Sequence, residues 1–210
     1  MNPRSSRLLR ALAGAALLAA CAVPPAPPVP PPPAPPAPPS TPPPPPSPPC
    51  EKILWIEIQK SARRLDAACL GGGHVSWTVA LGRQPGLKRA AGDHRTPEGL
   101  YHVVGRPRPS RFHRFLAIDY PSRGDAERAR AEGRLPARDF ERVATAHEAG
   151  SPPPADTALG GHLGFHGEGA RWHGDSAHLD WTDGCVGMTD DAIDFLAART
   201  APGTPVQILP

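Results

Sequence analysis

Hydrophobic and polar residues alternate after residue 51 with the two-residue period of β-strands. Within the run 52–59, Leu54, Ile56 and Ile58 share one face, which predicts a strand with that face well buried. A turn is predicted at 60–63, and three further strands are predicted at 64–70, 74–81 and 100–104. The domain is therefore expected to begin as an antiparallel sheet and to be mostly β with short helices.

Two segments in the middle of the chain have the composition of helices. Residues 125–132 are rich in Ala, Arg and Glu, which predicts a solvated surface helix. Residues 137–149 predict a second helix that turns three side chains inward, namely Phe140, Val143 and Ala144. The loop at 150–161 contains three consecutive prolines and precedes a histidine of interest, so it is expected either to cover a site or to be a plain surface insertion.

A third helix and a closing strand are predicted at the C-terminus. Thr189 has the character of an N-cap, and Asp190 and Asp191 follow it in the first turn, where the helix dipole favours acidic side chains. Residues 205–209 predict a final strand.

The first 49 residues differ in composition from the rest of the chain. Residues 1–21 begin with spaced arginines and continue into an apolar run too short to span a bilayer, which predicts an export signal. The run ends in Leu-Ala-Ala-Cys, which resembles the lipobox of bacterial lipoproteins and implies lipidation of Cys21. The alternative is an ordinary cleaved signal with an incidental cysteine. The protein is thus expected in the periplasm or cell envelope, anchored to a membrane.

Residues 22–49 are dominated by proline. Such a segment cannot form a packed core and favours an extended polyproline II conformation, which predicts a spacer between membrane and domain. Binding of SH3-like domains is the alternative. Residues 50–210 then remain as one domain with a sizeable core.

Charge and cysteine content limit the possible partners. The formal net charge is +3, and no dense basic patch with interleaved aromatic residues is present, so nucleic acid is not an expected partner. Cys50 and Cys69 flank the first predicted hairpin. A disulfide between them is plausible in an oxidising compartment, although geometry alone could forbid it.

The candidate chemistry is concentrated in two short segments, Phe165-His166-Gly167 and Thr182-Asp183-Gly184-Cys185. A cysteine nucleophile needs a base that removes its proton, and that base needs an orienting group. A glycine beside the cysteine permits a sharp turn whose amides could face an oxyanion. Sequence spacing alone equally permits a buried structural Cys185 and a core His166.

Four ordered segments resemble the L,D-transpeptidase (YkuD) family, in particular its YafK-like murein branch. They are Thr96-Pro97-Glu98-Gly99-Leu100-Tyr101, the segment 112–121, Phe165-His166-Gly167 and Thr182-Asp183-Gly184-Cys185-Val186. The resemblance covers most of residues 51–210. It implies a YkuD-like β-sandwich catalytic domain, export, and a role in cell-wall biogenesis and cell shape.

Carried over by residue, the resemblance implies that Cys185 is the nucleophile and His166 its base. The carbonyl of Gly167 would orient the imidazole, and amides around Gly184 and Cys185 would form the oxyanion hole. The implied partner is a peptidoglycan stem peptide, attacked at the amide after meso-diaminopimelate. A thioester forms, D-alanine leaves, and an amine or water resolves the acyl-enzyme. No cofactor or metal is expected.

The sequence departs from the family pattern at three places. Asp183 stands where many members have a second histidine, and Gly187 stands where many have an arginine. Another basic residue must then bind the substrate carboxylate, for which Arg171 is the candidate; Thr182 and Asp183 are also expected near substrate. The segment 139–162 is longer than the family pattern.

Three other functions remain open at this stage. A hydrolase or amidase of the same fold would use the same pair of residues. A zinc-dependent murein peptidase is the second, because histidines and aspartates are concentrated in one stretch and both residue types can bind zinc. No sharp zinc-binding motif is present. The candidate ligands are His162, His166, His173, Asp175, His178 and Asp180. A non-catalytic wall-binding lipoprotein is the third.

Overall fold

The computed structural model describes residues 50–171 and 178–210, with the side chain of Arg171 not described. The predicted signal peptide at 1–21, with Cys21, and the linker at 22–49 lie outside the described residues. So do two of the candidate zinc ligands, His173 and Asp175. The account below therefore concerns the domain that begins at Cys50.

Residues 50–171 and 178–210 contain eight β-strands and three α-helices, which confirms the predicted class of mostly β with short helices. The strands are β1 (Ile53–Gln59), β2 (Arg64–Cys69), β3 (His74–Thr78), β4 (Gly99–Ser110), β5 (His113–Ile118), β6 (Gly164–His166), β7 (Val186–Gly187) and β8 (Pro205–Leu209). The helices are α1 (Arg123–Ala131), α2 (Ala137–Glu148) and α3 (Asp190–Arg199), and a 3-10 turn covers Gly169–Arg171.

The strands form one curled sheet in the order β3-β2-β1-β8-β4-β5-β6-β7. The long strand β4 joins its two halves, because its first residues pair with β8 and its later residues pair with β5. The segment after β3 forms bridges with the other end of the sheet, at Ala80–Gly187 and Gly82–Thr182. The curl therefore brings the two ends of the sheet together where β7 lies.

The pattern of β1 differs from strict alternation. A bulge between Ile53 and Trp55 shifts its register against β2, so Ile53 joins Ile56 and Ile58 in the core while Leu54 is exposed. The domain begins with the antiparallel strands that the sequence predicts, since β1 pairs with β2 and β2 with β3 in antiparallel orientation. Strand β1 also pairs in parallel with β8, so the sheet as a whole is mixed.

Helices α2 and α3 begin where their sequences predict. Helix α1 begins at Arg123, two residues before the predicted start at 125, and it is not solely a surface helix. Ser122 and Asp125 form a reciprocal capping box at its start, and Ala126 and Ala129 are buried in the core. In α2, Val143 and Ala144 are buried as predicted, with Phe140 packed against the core. The Thr189 hydroxyl accepts from the Ala192 amide and caps α3.

One core of aliphatic and aromatic side chains lies inside the curled sheet and under the helices. A disulfide joins Cys50 to Cys69 and closes the open end of the β1–β2 hairpin. Within residues 50–171 and 178–210, no helix is both long and apolar enough to cross a bilayer.

Candidate active site

Cys185 lies at the end of a tight turn held by the side chain of Thr182. The Thr182 hydroxyl donates to the Cys185 carbonyl at 2.7 Å and accepts from the Gly184 amide at 3.1 Å. Thr182 is itself buried and is tied through its backbone to Leu81 and Arg83. Its hydroxyl therefore fixes the conformation of the turn and occupies the Gly184 amide.

Gly184 cannot carry a side chain in this conformation. Its φ is +125°, a region that residues with a Cβ rarely adopt. A Cβ there would lie 2.7 Å from the Arg95 carbonyl oxygen. The glycine lets the turn press against the loop that contains Arg95 and so sets the position of Cys185.

His166 ends β6 and is almost fully buried, with 4% of its surface exposed. Its Nδ1 lies 2.7 Å from the carbonyl oxygen of Gly167. Since a carbonyl only accepts hydrogen bonds, Nδ1 carries the proton and Nε2 is the free acceptor. This is the tautomer that a general base for a thiol requires.

The loop after His166 is anchored by Asp190 in the first turn of α3. Its Oδ1 accepts from the amides of Glu168 and Gly169, at 2.8 and 3.0 Å. A Cβ on Gly167 would lie 2.3 Å from that same oxygen, so the position needs glycine. Asp190 thus holds the peptide whose carbonyl orients His166.

Two aromatic side chains enclose the imidazole. The ring of Phe112 stacks on His166 with centroids 4.6 Å apart, and the ring of Trp181 meets it edge-on at 5.3 Å. Phe112 comes from the turn between β4 and β5, and Arg111 in that turn lies over its ring. The rings of Phe112 and Trp181 also contact each other, with centroids 5.4 Å apart, so the imidazole is part of a cluster of three rings.

The two candidate catalytic side chains meet at one cleft of about 550 Å³. Strands β6 and β7 pair in parallel, with Phe165 opposite Val186, so the strand that ends in His166 lies beside the strand that follows Cys185. Both side chains line the cleft. The Cys185 thiol also faces the His162 carbonyl at an S···O distance of 3.8 Å.

The environment keeps both groups neutral in the free protein. Burial, together with the negative charge of Asp183, raises the pKa of the Cys185 thiol to about 11. Burial also lowers the pKa of His166; the Gly167 carbonyl opposes this shift and the charge of Arg111 adds to it. At neutral pH the pair is a thiol and a neutral imidazole.

Asp183 lies on the rim of the cleft and is already paired. Its carboxylate forms an ion pair with Arg83 and contacts His94 Nδ1 at 2.9 Å. Asp183 and Arg83 both line the cleft. Asp183, at the position where many family members have a second histidine, therefore belongs to a charged cluster with Arg83 and His94.

The position of Gly187 leaves little room for a side chain. A Cβ there would lie 3.2 Å from the Trp181 ring and 3.3 Å from Thr182, so the indole occupies the space beside it. Arg171, the residue predicted to bind the substrate carboxylate in place of the family's arginine, is the last residue of the 3-10 turn. Its side chain is not described by the structure.

The zinc candidates do not form a ligand set in the described part of the chain. Asp180 is held by Arg63 through both carboxylate oxygens, at 3.0 and 2.6 Å. His166 uses one ring nitrogen on Gly167, and His178 is exposed. No group of three or more His, Cys, Asp or Glu residues among those described has a geometry that could hold a metal ion.

Several residues of the site were not singled out from the sequence. Phe112, Trp181 and Asp190 contact His166 or its loop, and Arg108 lines the cleft. His162, named from the sequence only as a zinc candidate, also lines the cleft. Phe112 had a signal, because it begins a segment that resembles the family. Asp190 was assigned only to the helix dipole, since its partners lie 21 and 22 residues away.

Comparison with known proteins gives one family. The family model of the YkuD L,D-transpeptidase catalytic domain matches residues 54–208. No curated protein matches the chain.

Among solved structures, the helical cell shape determining protein Pgp2 from Campylobacter jejuni is similar, with 17% identity, a TM-score of 0.51, and coverage of 74% of this chain and 47% of that one. Bd1075 from Bdellovibrio bacteriovorus has 19% identity, a TM-score of 0.46, and coverage of 75% and 48%. An L,D-transpeptidase from Mycobacterium smegmatis has 11% identity, a TM-score of 0.43, and coverage of 75% and 59%. The chain spans about half the length of the Pgp2 and Bd1075 chains.

Proposed function

The chain belongs to the YkuD family of L,D-transpeptidase catalytic domains, and from that premise we propose that it acts on the cell wall by cysteine acyl transfer. The proposed donor is a peptidoglycan stem peptide that ends in D-alanine. The proposed bond is the amide between meso-diaminopimelate and that D-alanine. Cys185 is the nucleophile and His166 the base.

One observation carries this proposal. Cys185 and an oriented His166 line one cleft, and the proton on Nδ1 is committed to the Gly167 carbonyl. Only Nε2 is then free to accept the thiol proton. Nucleophilic catalysis by a cysteine needs this combination of a thiol, a base and a group that orients the base.

The first step forms the acyl-enzyme. As the Cys185 sulfur attacks the carbonyl carbon, His166 Nε2 takes the thiol proton and becomes an imidazolium. The oxyanion of the tetrahedral intermediate faces the turn, where the Cys185 amide donates to it. When the C–N bond breaks, the imidazolium returns the proton to the departing nitrogen, and D-alanine leaves as the free amino acid.

The second step returns the enzyme to its starting state. An amine of a second stem peptide, or a water molecule, loses a proton to His166 and attacks the thioester carbonyl. The C–S bond breaks and the thiolate of Cys185 recovers that proton. An amine acceptor gives a cross-link, whereas water gives a tripeptide, so the same acyl-enzyme accounts for transferase and hydrolase activity.

We also propose that the protein is exported and lipid-anchored, with residues 22–49 as a spacer that reaches into the wall. The lipobox-like Leu-Ala-Ala-Cys21 supports this. Metabolic labelling with a radioactive fatty acid tests it: the label should enter the native protein and be lost in Cys21→Ala, and equal labelling of both would refute the anchor. By extension from the fold shared with Pgp2, described as a cell shape determining protein, we propose a role in cell shape.

Analysis of the products tests the proposed reaction. Full-length protein incubated with a disaccharide-tetrapeptide should release D-alanine and yield either a cross-linked dimer or a tripeptide, and Cys185→Ala should release none. A chelator should leave the rate unchanged. Release that survives in Cys185→Ala and is stopped by the chelator would favour the zinc peptidase, and binding without release in the native protein would favour a wall-binding lipoprotein.

A further inference from the structure

A second cavity of about 300 Å³ adjoins the cleft. Three residues line both spaces, namely Arg108, Phe115 and His162. His162 is also the residue whose carbonyl faces the Cys185 thiol at 3.8 Å. His162 therefore links the candidate nucleophile to the second space, which is called the side cavity below.

The side cavity is built by two irregular features of the chain. In the pairing of β4 with β5, Val104 lies opposite Ala117 and Arg108 lies opposite Phe115, so four steps along β4 match two along β5. This bulge places Gly105 and the following residues at the cavity wall. The opposite wall comes from Pro152 and Pro153, in the proline-containing loop that the sequence left without an assigned role.

The charge of the side cavity is positive and uncompensated. Arg106 and Arg108 line it, and no aspartate or glutamate does. Within residues 50–171 and 178–210, neither arginine forms an ion pair, whereas Arg83 on the cleft rim is paired with Asp183. The guanidinium of Arg108 lies over the Phe115 ring at 5.1 Å. This contact positions the guanidinium and leaves its positive charge in place.

The remaining walls are apolar. Phe115, Ala117 and Ile118 of β5 line the cavity. A volume of about 300 Å³ lies at the lower end for small-molecule pockets. The space therefore suits a short aliphatic group that bears a carboxylate rather than a glycan or a cationic amine.

We propose that the side cavity is the subsite for the carboxyl-terminal residue of the donor peptide, and that Arg108 binds its terminal carboxylate. This rests on the proposed function, because it places the leaving residue next to Cys185. One residue spans at most about 3.6 Å of chain. The terminal carboxylate lies one residue beyond the attacked carbonyl, so it has to be bound close to the Cys185 sulfur. Arg108 is suitably placed, because it lines both the cleft and the side cavity.

A substrate with a neutral terminus tests this proposal directly. Full-length protein is assayed with a tetrapeptide that ends in D-alanine and with the same peptide ending in D-alaninamide. We expect the native protein to prefer the free carboxylate by roughly ten- to a hundredfold in kcat/KM, as for loss of a hydrogen-bonded charge pair. In Arg108→Gln this preference should collapse, with the amide substrate almost unaffected.

The matched control is Arg138→Gln, which removes an exposed arginine of α2 that lines neither cavity; it should keep the native preference. An Arg108→Gln variant that keeps the full preference would overturn the subsite. Acyl-enzyme formation is followed in the same samples. If the native protein forms none, the proposed function fails together with the subsite, whereas acylation with an unchanged preference in Arg108→Gln refutes the subsite alone.

A second variant tests the space itself. Ala117→Leu fills the side cavity from β5 without adding to the lining of the cleft. We expect KM for the tetrapeptide to rise at least about tenfold while iodoacetamide labels Cys185 at the native rate, which a general loss of structure would change. Native kinetics with the cavity filled would contradict the proposal.

Discussion

Cys185 and His166 differ from a preformed thiolate–imidazolium pair. Burial raises the pKa of the thiol to about 11 and lowers that of the imidazole, so both shifts favour the neutral forms. In the proposed reaction, proton transfer then accompanies attack on the substrate, with His166 as a general base. The cost of removing charge from water is the main cause of both shifts and so determines this resting state.

The pH dependence of alkylation tests this assignment. Because the pKa of Cys185 lies above the ordinary value, the thiolate fraction at each pH is smaller than for a free cysteine. The rate of reaction with iodoacetamide should therefore rise steadily to at least pH 10, measured by intact mass. A rate that levels off between pH 5 and 7 would indicate a stable ion pair and contradict the assignment.

Thr182 is the residue that most directly shapes the nucleophilic turn. Thr182→Val keeps the shape of the side chain but removes both hydrogen bonds to Gly184 and Cys185. We expect at least a tenfold loss in acylation rate and about 1–3 kcal/mol lower free energy of unfolding, since buried polar groups lose their partners. Thr182→Ser should retain most of both, and a Val variant as active as Ser would refute the role.

At this scale the sequence predicts what is local in the chain. Thr182, Gly184 and Cys185 lie within one turn, and the Gly167 carbonyl is adjacent to His166. Phe112, Trp181 and Asp190 reach His166 only through the fold, and no periodicity connects them to it. Their contribution, which is orientation and burial of the imidazole, requires three-dimensional information.

Among the elements, the loop before β4 supports the turn that contains Cys185. Asp93 lies at its centre, where its carboxylate accepts from the amides of Arg89 and Ala90 and pairs with the buried Lys88 at 2.8 Å. Although burial opposes ionisation, these hydrogen bonds lower the pKa of Asp93 to about 2. The same loop carries the Arg95 carbonyl that packs against Gly184.

Asp93→Asn should therefore destabilise the domain in a pH-dependent manner. The pKa is depressed from 3.8 to about 2, which corresponds to about 2 kcal/mol of stability. This stability is present above pH 4 and is lost as the pH falls through about 2. Urea unfolding should show that difference from the native protein at pH 7 and a smaller one at pH 2.5.

Glu141→Gln is the control, because Glu141 is exposed on α2. It should change the free energy of unfolding by less than about 0.5 kcal/mol. An Asp93→Asn variant as stable as this control at pH 7 would contradict the role of the loop.

Elements with regular patterns were predictable and irregular ones were not. The helices and the strands β1, β2 and β8 follow from periodicity and caps. Strand β5 was missed and β4 was predicted as a short strand at 100–104, because a bulge and arginines interrupt their alternation. The parallel pairing of β1 with β8 connects residues about 150 positions apart, which a local pattern cannot encode.

For the whole molecule, closure of the curled sheet brings the candidate catalytic segments together. Bridges from Ala80 and Gly82 reach Gly187 and Thr182, so the two ends of the sheet meet where the nucleophile lies. The Cys50–Cys69 disulfide fixes the start of the same sheet. The sequence left this pairing open, because the register of the hairpin sets the separation of the two cysteines.

Removal of the disulfide should reduce stability and spare the chemistry. The bridge joins residues 19 positions apart, for which the chain-entropy estimate is about 3 kcal/mol. The double variant Cys50→Ser/Cys69→Ser should unfold at lower urea concentration by that amount. Its acylation rate at 25 °C should stay near native, because neither cysteine lines the cleft; loss of acylation in a folded double variant would contradict this separation of roles.

The central claim is that His166 activates Cys185 for covalent acyl transfer. Intact-protein mass spectrometry after brief exposure of the full-length protein to a disaccharide-tetrapeptide tests it most directly, with Cys185→Ala and His166→Ala in parallel. The account predicts an adduct of the donor minus D-alanine on the native protein, none on Cys185→Ala, and formation at least a hundredfold slower on His166→Ala. An adduct on Cys185→Ala, or turnover with no adduct in rapidly quenched samples, would contradict the account.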